Sequence, residues 1–102
     1  MPSMPADGGD VLFEALTPVG HVVRVTRNRW LTIVKVKHPV MAGRELSVRD
    51  ALESPDEVRQ SRIDRQVLLF YKAEGSGRWT CAVVKRLGDT GFLIIAYPTD
   101  AI

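Results

Sequence analysis

Three apolar runs at 66–73, 78–87 and 92–97 limit what this chain can fold into more than any other feature. They are rich in Val, Ile, Leu and aromatic residues, and each is too short for a typical helix. Glu74-Gly75-Ser76-Gly77 separates the first two, and Gly88-Asp89-Thr90-Gly91 separates the last two. Short β-rich runs joined by short Gly-containing turns predict an antiparallel three-stranded meander. Three strands with an apolar face can hold together where one hairpin cannot.

Centring each pairing on its loop gives a register, because directly opposed residues share a face. One face then carries Tyr71–Thr80–Pro98, Leu69–Ala82–Ala96 and Val67–Val84–Ile94. The other carries Lys72–Trp79–Thr99, Phe70–Cys81–Tyr97, Leu68–Val83–Ile95 and Gln66–Lys85–Leu93. Small Ala82 and Ala96 suit close helix packing. Lys72, Lys85, Tyr97 and Thr99 make the second face a partly open surface able to hold a ligand. A one-residue slip in any strand would exchange its faces.

The chain has 102 residues, 45% hydrophobic and 25% charged, which fits one globular domain able to bury a core. Its net charge of +2 says little about partners, but the distribution says more. Between positions 24 and 49, seven basic residues (Arg24, Arg27, Arg29, Lys35, Lys37, Arg44 and Arg49) face one acid, Glu45. Such a segment suits a polyanion; the alternative is a solvated helix face. Cys81 is the single cysteine, so no internal disulfide framework exists, as expected in a reducing compartment. Its simplest role is that of a small buried hydrophobe. The N-terminus lacks the apolar core of a signal peptide, and no run approaches the roughly 20 apolar residues of a membrane span. A cytoplasmic protein with no membrane contact is the expectation.

Positions 1–9 are rich in Pro and Gly and are expected to be disordered. Two short apolar runs, 11–16 and 21–26, flank Thr17-Pro18-Val19-Gly20 and read as a hairpin, either at the sheet edge or as a separate ribbon. The segment 27–37 is ambiguous. Its Trp, Thr, Ile and Val content favours a strand. The spacing of Trp30, Ile33, Val34 and Lys37, with Thr26 as N-cap and Pro39 as a stop, favours a helix. Helical spacing is clearer over 41–53, which ends at Ser54-Pro55. A short turn is expected after Pro55.

No phosphate-cradling loop is present, because Gly75-Ser76-Gly77 precedes no helix. His21 and His38 are far apart with no cysteine pair between them, so neither metal nor cofactor is expected. No nucleophile-elbow pattern occurs.

Several pieces carry a resemblance. They are Arg29-Trp30 with Ile33, Lys37-His38-Pro39, Val48-Arg49, Ala51-Leu52, and Ser54-Pro55-Asp56-Glu57-Val58 with Ser61. Later pieces are Leu69-Phe70-Tyr71, Val83-Val84-Lys85, Gly91-Phe92-Leu93-Ile94 and Ala96-Tyr97-Pro98-Thr99. In this order they resemble a widespread group of small bacterial and phage proteins assigned to the barnase–EndoU–colicin–RelE-like nuclease superfamily. The resemblance covers about residues 24–102. It implies an α+β fold over 10–102: a β-hairpin, then two N-terminal helices (27–37 and 41–53) packed on a mainly antiparallel sheet with a C-terminal three-stranded meander.

The resemblance also implies a metal-independent, toxin-like endoribonuclease in which a ribose 2′-hydroxyl attacks the adjacent phosphorus. That chemistry needs a base, an acid and a cation beside the phosphate. His38 matches the group's His-Pro position, and its ordinary pKa lies near neutrality; it could equally cap or pack at a helix end. Arg62, Lys72 and Lys85 are candidates for phosphate contact, or else ordinary surface charge. Tyr97 and Thr99 match the terminal Ala-Tyr-Pro-Thr segment, and would otherwise be a core aromatic and a turn hydroxyl. RNA binding falls to Arg24, Arg27, Arg29, Lys35, Lys37 and Lys72. An antitoxin or a second copy of the chain is an implied partner. The group often has Thr where this chain has Ile95, a departure that bears on activity. A non-catalytic RNA-binding or protein-interaction module on the same fold is the alternative, because function lives in the site and not in the fold.

Overall fold

A computed structural model describes residues 10–102; the expectation for 1–9 falls outside the described residues. The first two apolar runs form β1 (Val11–Leu16) and β2 (Val22–Thr26), an antiparallel hairpin. Thr17 N–H donates to the His21 carbonyl at 3.0 Å, and Gly20 turns the chain at φ +93°. His21 is buried here, its Nδ1 2.9 Å from Thr17 Oγ1, and its Nε2 has no hydrogen-bond partner.

Helix α1 (Arg27–Thr32) follows directly, with Thr26 Oγ1 accepting from Arg29 N–H at 3.1 Å as its N-cap. The expected helix over 27–37 is α-helical only to Thr32. Ile33–Lys37 is a π-turn, closed by His38 N–H donating to the Ile33 carbonyl at 2.7 Å. Ile33, Val34 and Val36 are β-branched and crowd an α-turn. Pro39 pushes His38 out of the helical region, to φ −142° and ψ 80°. A single 3₁₀ turn, Pro39–Met41, and Gly43 at φ +79° come next. The left-handed Gly43 is why α2 begins at Glu45, later than the expected position 41, and runs to Glu53.

The turn expected after Pro55 is instead a strand, β3 (Glu57–Gln60). It pairs antiparallel with β4 (Val67–Ala73), anchored where Ala73 N–H donates to Asp56 Oδ2 at 2.7 Å. The meander is completed by β5 (Trp79–Leu87) and β6 (Thr90–Thr99). The described strands form one sheet in the order β1-β2-β6-β5-β4-β3. The hairpin therefore joins the sheet, through a parallel pairing of Val22–Arg24 with Thr90–Phe92; every other pairing is antiparallel. The fold is α+β with a mixed sheet, and its helices lie mid-chain, between the hairpin and the meander.

The β5–β6 register matches the expected one from Trp79↔Thr99 to Val83↔Ile95, after which a bulge shifts it to Val84↔Leu93 and Lys85↔Phe92. The β4–β5 register is one residue away from expectation. Tyr71 faces Cys81, not Thr80, because the connection is odd: Ala73 opposes Trp79, Glu74 N–H bonds the Arg78 carbonyl at 2.8 Å, and Gly75 and Gly77 take positive φ. All of β4 therefore changes sides. Phe70, Leu68 and Lys72 face the helices, while Tyr71, Leu69 and Val67 face away.

Ala82 and Ala96 lie beneath the helices as expected, fully buried with Phe70 and with Val48, Ala51 and Leu52 of α2. Trp30 and Ile33 of the first helix, Met41, Val23 and Val25 complete this core. Lys72 is the correction: it is not on the ligand-facing side. It is on the helix side, with Nζ donating to the Ser54 carbonyl at 2.9 Å, at the C-terminal end of α2.

Candidate functional site

The candidate site is the outer face of the sheet, the one turned from α1 and α2. By register it carries Tyr71, Cys81 and Tyr97 in one row across β4, β5 and β6. Trp79 and Thr99 stand in the next row on one side. Leu69, Val83 and Ile95 stand in the next row on the other, with Val67, Lys85 and Phe92 beyond.

His38 reaches this face around the edge of β6. The parallel pairing with β2 stops at Arg24 and Phe92, where β2 is about to turn into α1. The edge of β6 beyond that point faces the 3₁₀ turn instead. The π-turn ends there, and the His38 ring lies 5.5 Å from the Tyr97 ring, centroid to centroid, inclined at 39°. His38 and Tyr97 are both half-buried.

Tyr71 and Tyr97 flank Cys81, opposing it from β4 and β6. Burial pushes the Cys81 thiol up, against a smaller downward pull from the two tyrosines. It is fully buried and protonated, and is not a nucleophile at neutral pH. Burial also raises Tyr97, helped by Cys81, and raises Tyr71. Tyr97 is thus held as a neutral phenol: it can donate a hydrogen bond to an oxyanion but cannot act as the base.

The other candidates are distributed differently. Thr99 is on the outer face two residues from Tyr97, its Oγ1 donating to the Ala101 carbonyl at 3.0 Å. Lys85 shares the face but lies at its far end, opposite Phe92. Phe92 and Tyr97 are five residues apart on β6, roughly 16 Å at about 3.3 Å each. Lys85 Nζ is bonded to Asp64 Oδ2 at 2.5 Å. The Lys85 hydrogen bond, then the Gln66 N–H at 2.9 Å, hold the Asp64 carboxyl below its usual range. Arg62 is exposed in the loop that carries Asp64. The structure therefore brings His38, Tyr97 and Thr99 together and leaves Lys85 and Arg62 at the opposite end.

In the basic segment, Arg24 pairs with Glu14 at 3.0 Å and Arg49 with Glu53 at 3.2 Å. Arg27 is exposed at the start of α1, and Arg29 is half-buried one turn before the π-turn. Lys35 and Lys37 are exposed on the π-turn beside His38.

Sequence reasoning missed Trp79, Tyr71 and the Lys85–Asp64 pair. Trp79 was legible as an outer-face residue, since its opposition to Thr99 follows from centring the β5–β6 loop. Tyr71 was hidden by the odd β4–β5 connection. Asp64 was hidden because only the folded sheet brings it to Lys85. Comparison of the chain with protein families, with curated proteins and with solved structures found no match.

Proposed function

We propose that this protein is a small metal-independent endoribonuclease of the toxin-like type, with its centre at His38 and Tyr97. The observation that carries the reading is His38 set against Tyr97 at the rim of the outer face, with Lys35 and Lys37 beside it. His38 accepts the proton of the ribose 2′-hydroxyl as its oxygen attacks phosphorus. The bond from phosphorus to the 5′-oxygen breaks, that oxygen takes a proton from solvent water, and a 2′,3′-cyclic phosphate remains. The neutral Tyr97 phenol donates to a developing oxyanion, and the π-turn lysines supply positive charge. Lys85 and Arg62 contact the strand farther along.

General acid–base help is worth about 10²–10⁴-fold in rate. His38→Ala should lose activity in that range with modest change in affinity, measured on labelled RNA with EDTA present. Equal cleavage by wild type and variant would end the assignment.

A second reading, a non-catalytic RNA-binding module, is favoured by two side chains. Ile95, opposite Val83 beside the bulge, is an aliphatic side chain packed against the core cluster and offers no hydroxyl. Asp64 already balances the charge of Lys85. Under this reading wild type and His38→Ala both bind RNA and leave it intact. Cleavage gained by Ile95→Thr would then identify a centre disabled by one side chain.

A further inference from the structure

The corner of the outer face beside His38 holds large aromatic surface that the core does not use. Trp30 is buried and belongs to the core cluster; Trp79 is half-buried and does not. Trp79 on β5 and Tyr97 on the adjacent β6 lie on one face in neighbouring rows, opposite Thr99 and Cys81 respectively. Neighbouring rows on a face are about 7 Å apart, and the small, buried Cys81 opposite Tyr97 adds little bulk. Trp79, Tyr97 and His38 thus share one rim of the sheet.

The charges around this corner differ from those elsewhere on the face. Arg24, Arg59 and Lys85 are each paired with a carboxylate, Glu14, Glu57 and Asp64 respectively. Lys35 and Lys37 beside His38 form no ion pair among the described residues. Aromatic faces bordered by uncompensated cations suit single-stranded nucleic acid, whose bases expose their π-faces and whose backbone is anionic. A duplex hides those faces by stacking its own pairs.

We infer that Trp79 and Tyr97 form a stacking platform for an unpaired RNA base, holding the adjoining backbone beside His38 and the π-turn lysines. This rests on the reading that the outer face meets RNA, and it assigns Trp79 as a substrate-binding residue.

The test is binding of a 2′-O-methyl RNA hexamer, which lacks the 2′-hydroxyl and cannot be cleaved. Its single strand is compared with the same sequence in a duplex, with circular dichroism checking the fold of each variant. The single strand should bind more tightly and quench tryptophan emission, since Trp79 is accessible and Trp30 is not. Trp79→Leu should abolish the quench and weaken binding about 5- to 150-fold, the range for loss of one stacked base. Trp79→Phe should keep most of the affinity. The salt dependence of binding should be unchanged in Trp79→Leu, and its slope should fall by about one for each of Lys35→Ala and Lys37→Ala.

A folded Trp79→Leu that binds as wild type does, an absent quench, or equal duplex binding would overturn the platform. Cleavage is read separately, on unmodified RNA. If wild type cleaves but Trp79→Leu binds normally, the platform fails and the nuclease reading stands. If the methylated strand stacks on Trp79 but unmodified RNA stays intact, the platform stands and the nuclease reading fails.

Discussion

Lys85 and Asp64 show how one side chain can decide what a neighbour offers to a ligand. While Asp64 accepts from Nζ, the lysine presents a balanced charge. Asp64→Asn should release it and strengthen binding of RNA oligonucleotides, with a salt-dependence slope steeper by about one contact; an unchanged slope would show that Lys85 does not face the strand. The same pair has a pH signature. Its carboxyl titrates lower folded than unfolded, so it contributes stability above the ordinary carboxylate range near 4 and loses it as pH falls through the folded value. Acid titration should narrow the stability gap between wild type and Asp64→Asn. Cys81 makes the opposite case. Its thiol is buried between Tyr71 and Tyr97 and raised by that burial. Iodoacetamide should leave it unmodified in native protein and react promptly once denaturant opens the sheet.

Among the elements, β6 is paired on both edges, parallel with β2 on one side and antiparallel with β5 on the other. Gly91 sits where the three strands meet, and a Cβ there would lie 3.0 Å from Val84 Cγ1 and 3.1 Å from the Lys85 carbonyl oxygen. The carbonyl belongs to the central strand and cannot withdraw easily. Gly91→Ala should cost about 1–3 kcal/mol by overpacking, read as a lower urea midpoint at unchanged m-value. Element positions were legible wherever a local device sets them: Thr26 as cap, Pro39 as stop, Gly-containing turns between apolar runs. The π-turn was not, since crowding by Ile33, Val34 and Val36 and docking against β6 together choose it over an α-turn. Nor was β3, whose Glu57-Val58-Arg59-Gln60 has one apolar residue and no alternation; a four-residue charged edge strand is visible only through its partner. The register of β4 turned on whether its connection held an even or odd number of residues, which composition does not encode.

For the whole molecule, the helix layer covers one side of the sheet and gathers the described core there, while the other side keeps its aromatic corner and its ion pairs. The inward positions of Ala82 and Ala96 were readable because two small residues at matched positions mark a close approach. The meeting of His38 with Tyr97 was not legible in the sequence, since it needs the β2–β6 pairing to end early and expose a strand edge. That pairing has a consequence in time. Val22 and Thr90 are far apart in sequence, with the helices and three strands between them, and all of that chain must be made before β2 and β6 can pair. Contacts so distant in sequence incur loop-closure entropy before they return any stabilisation, and they form late. During synthesis the hairpin and the helices emerge first and must wait for the last strand. The rim where His38 meets Tyr97 is therefore assembled only after β6 has been made, and a ribosome-bound fragment ending before Thr90 has the basic segment but not the His38–Tyr97 corner.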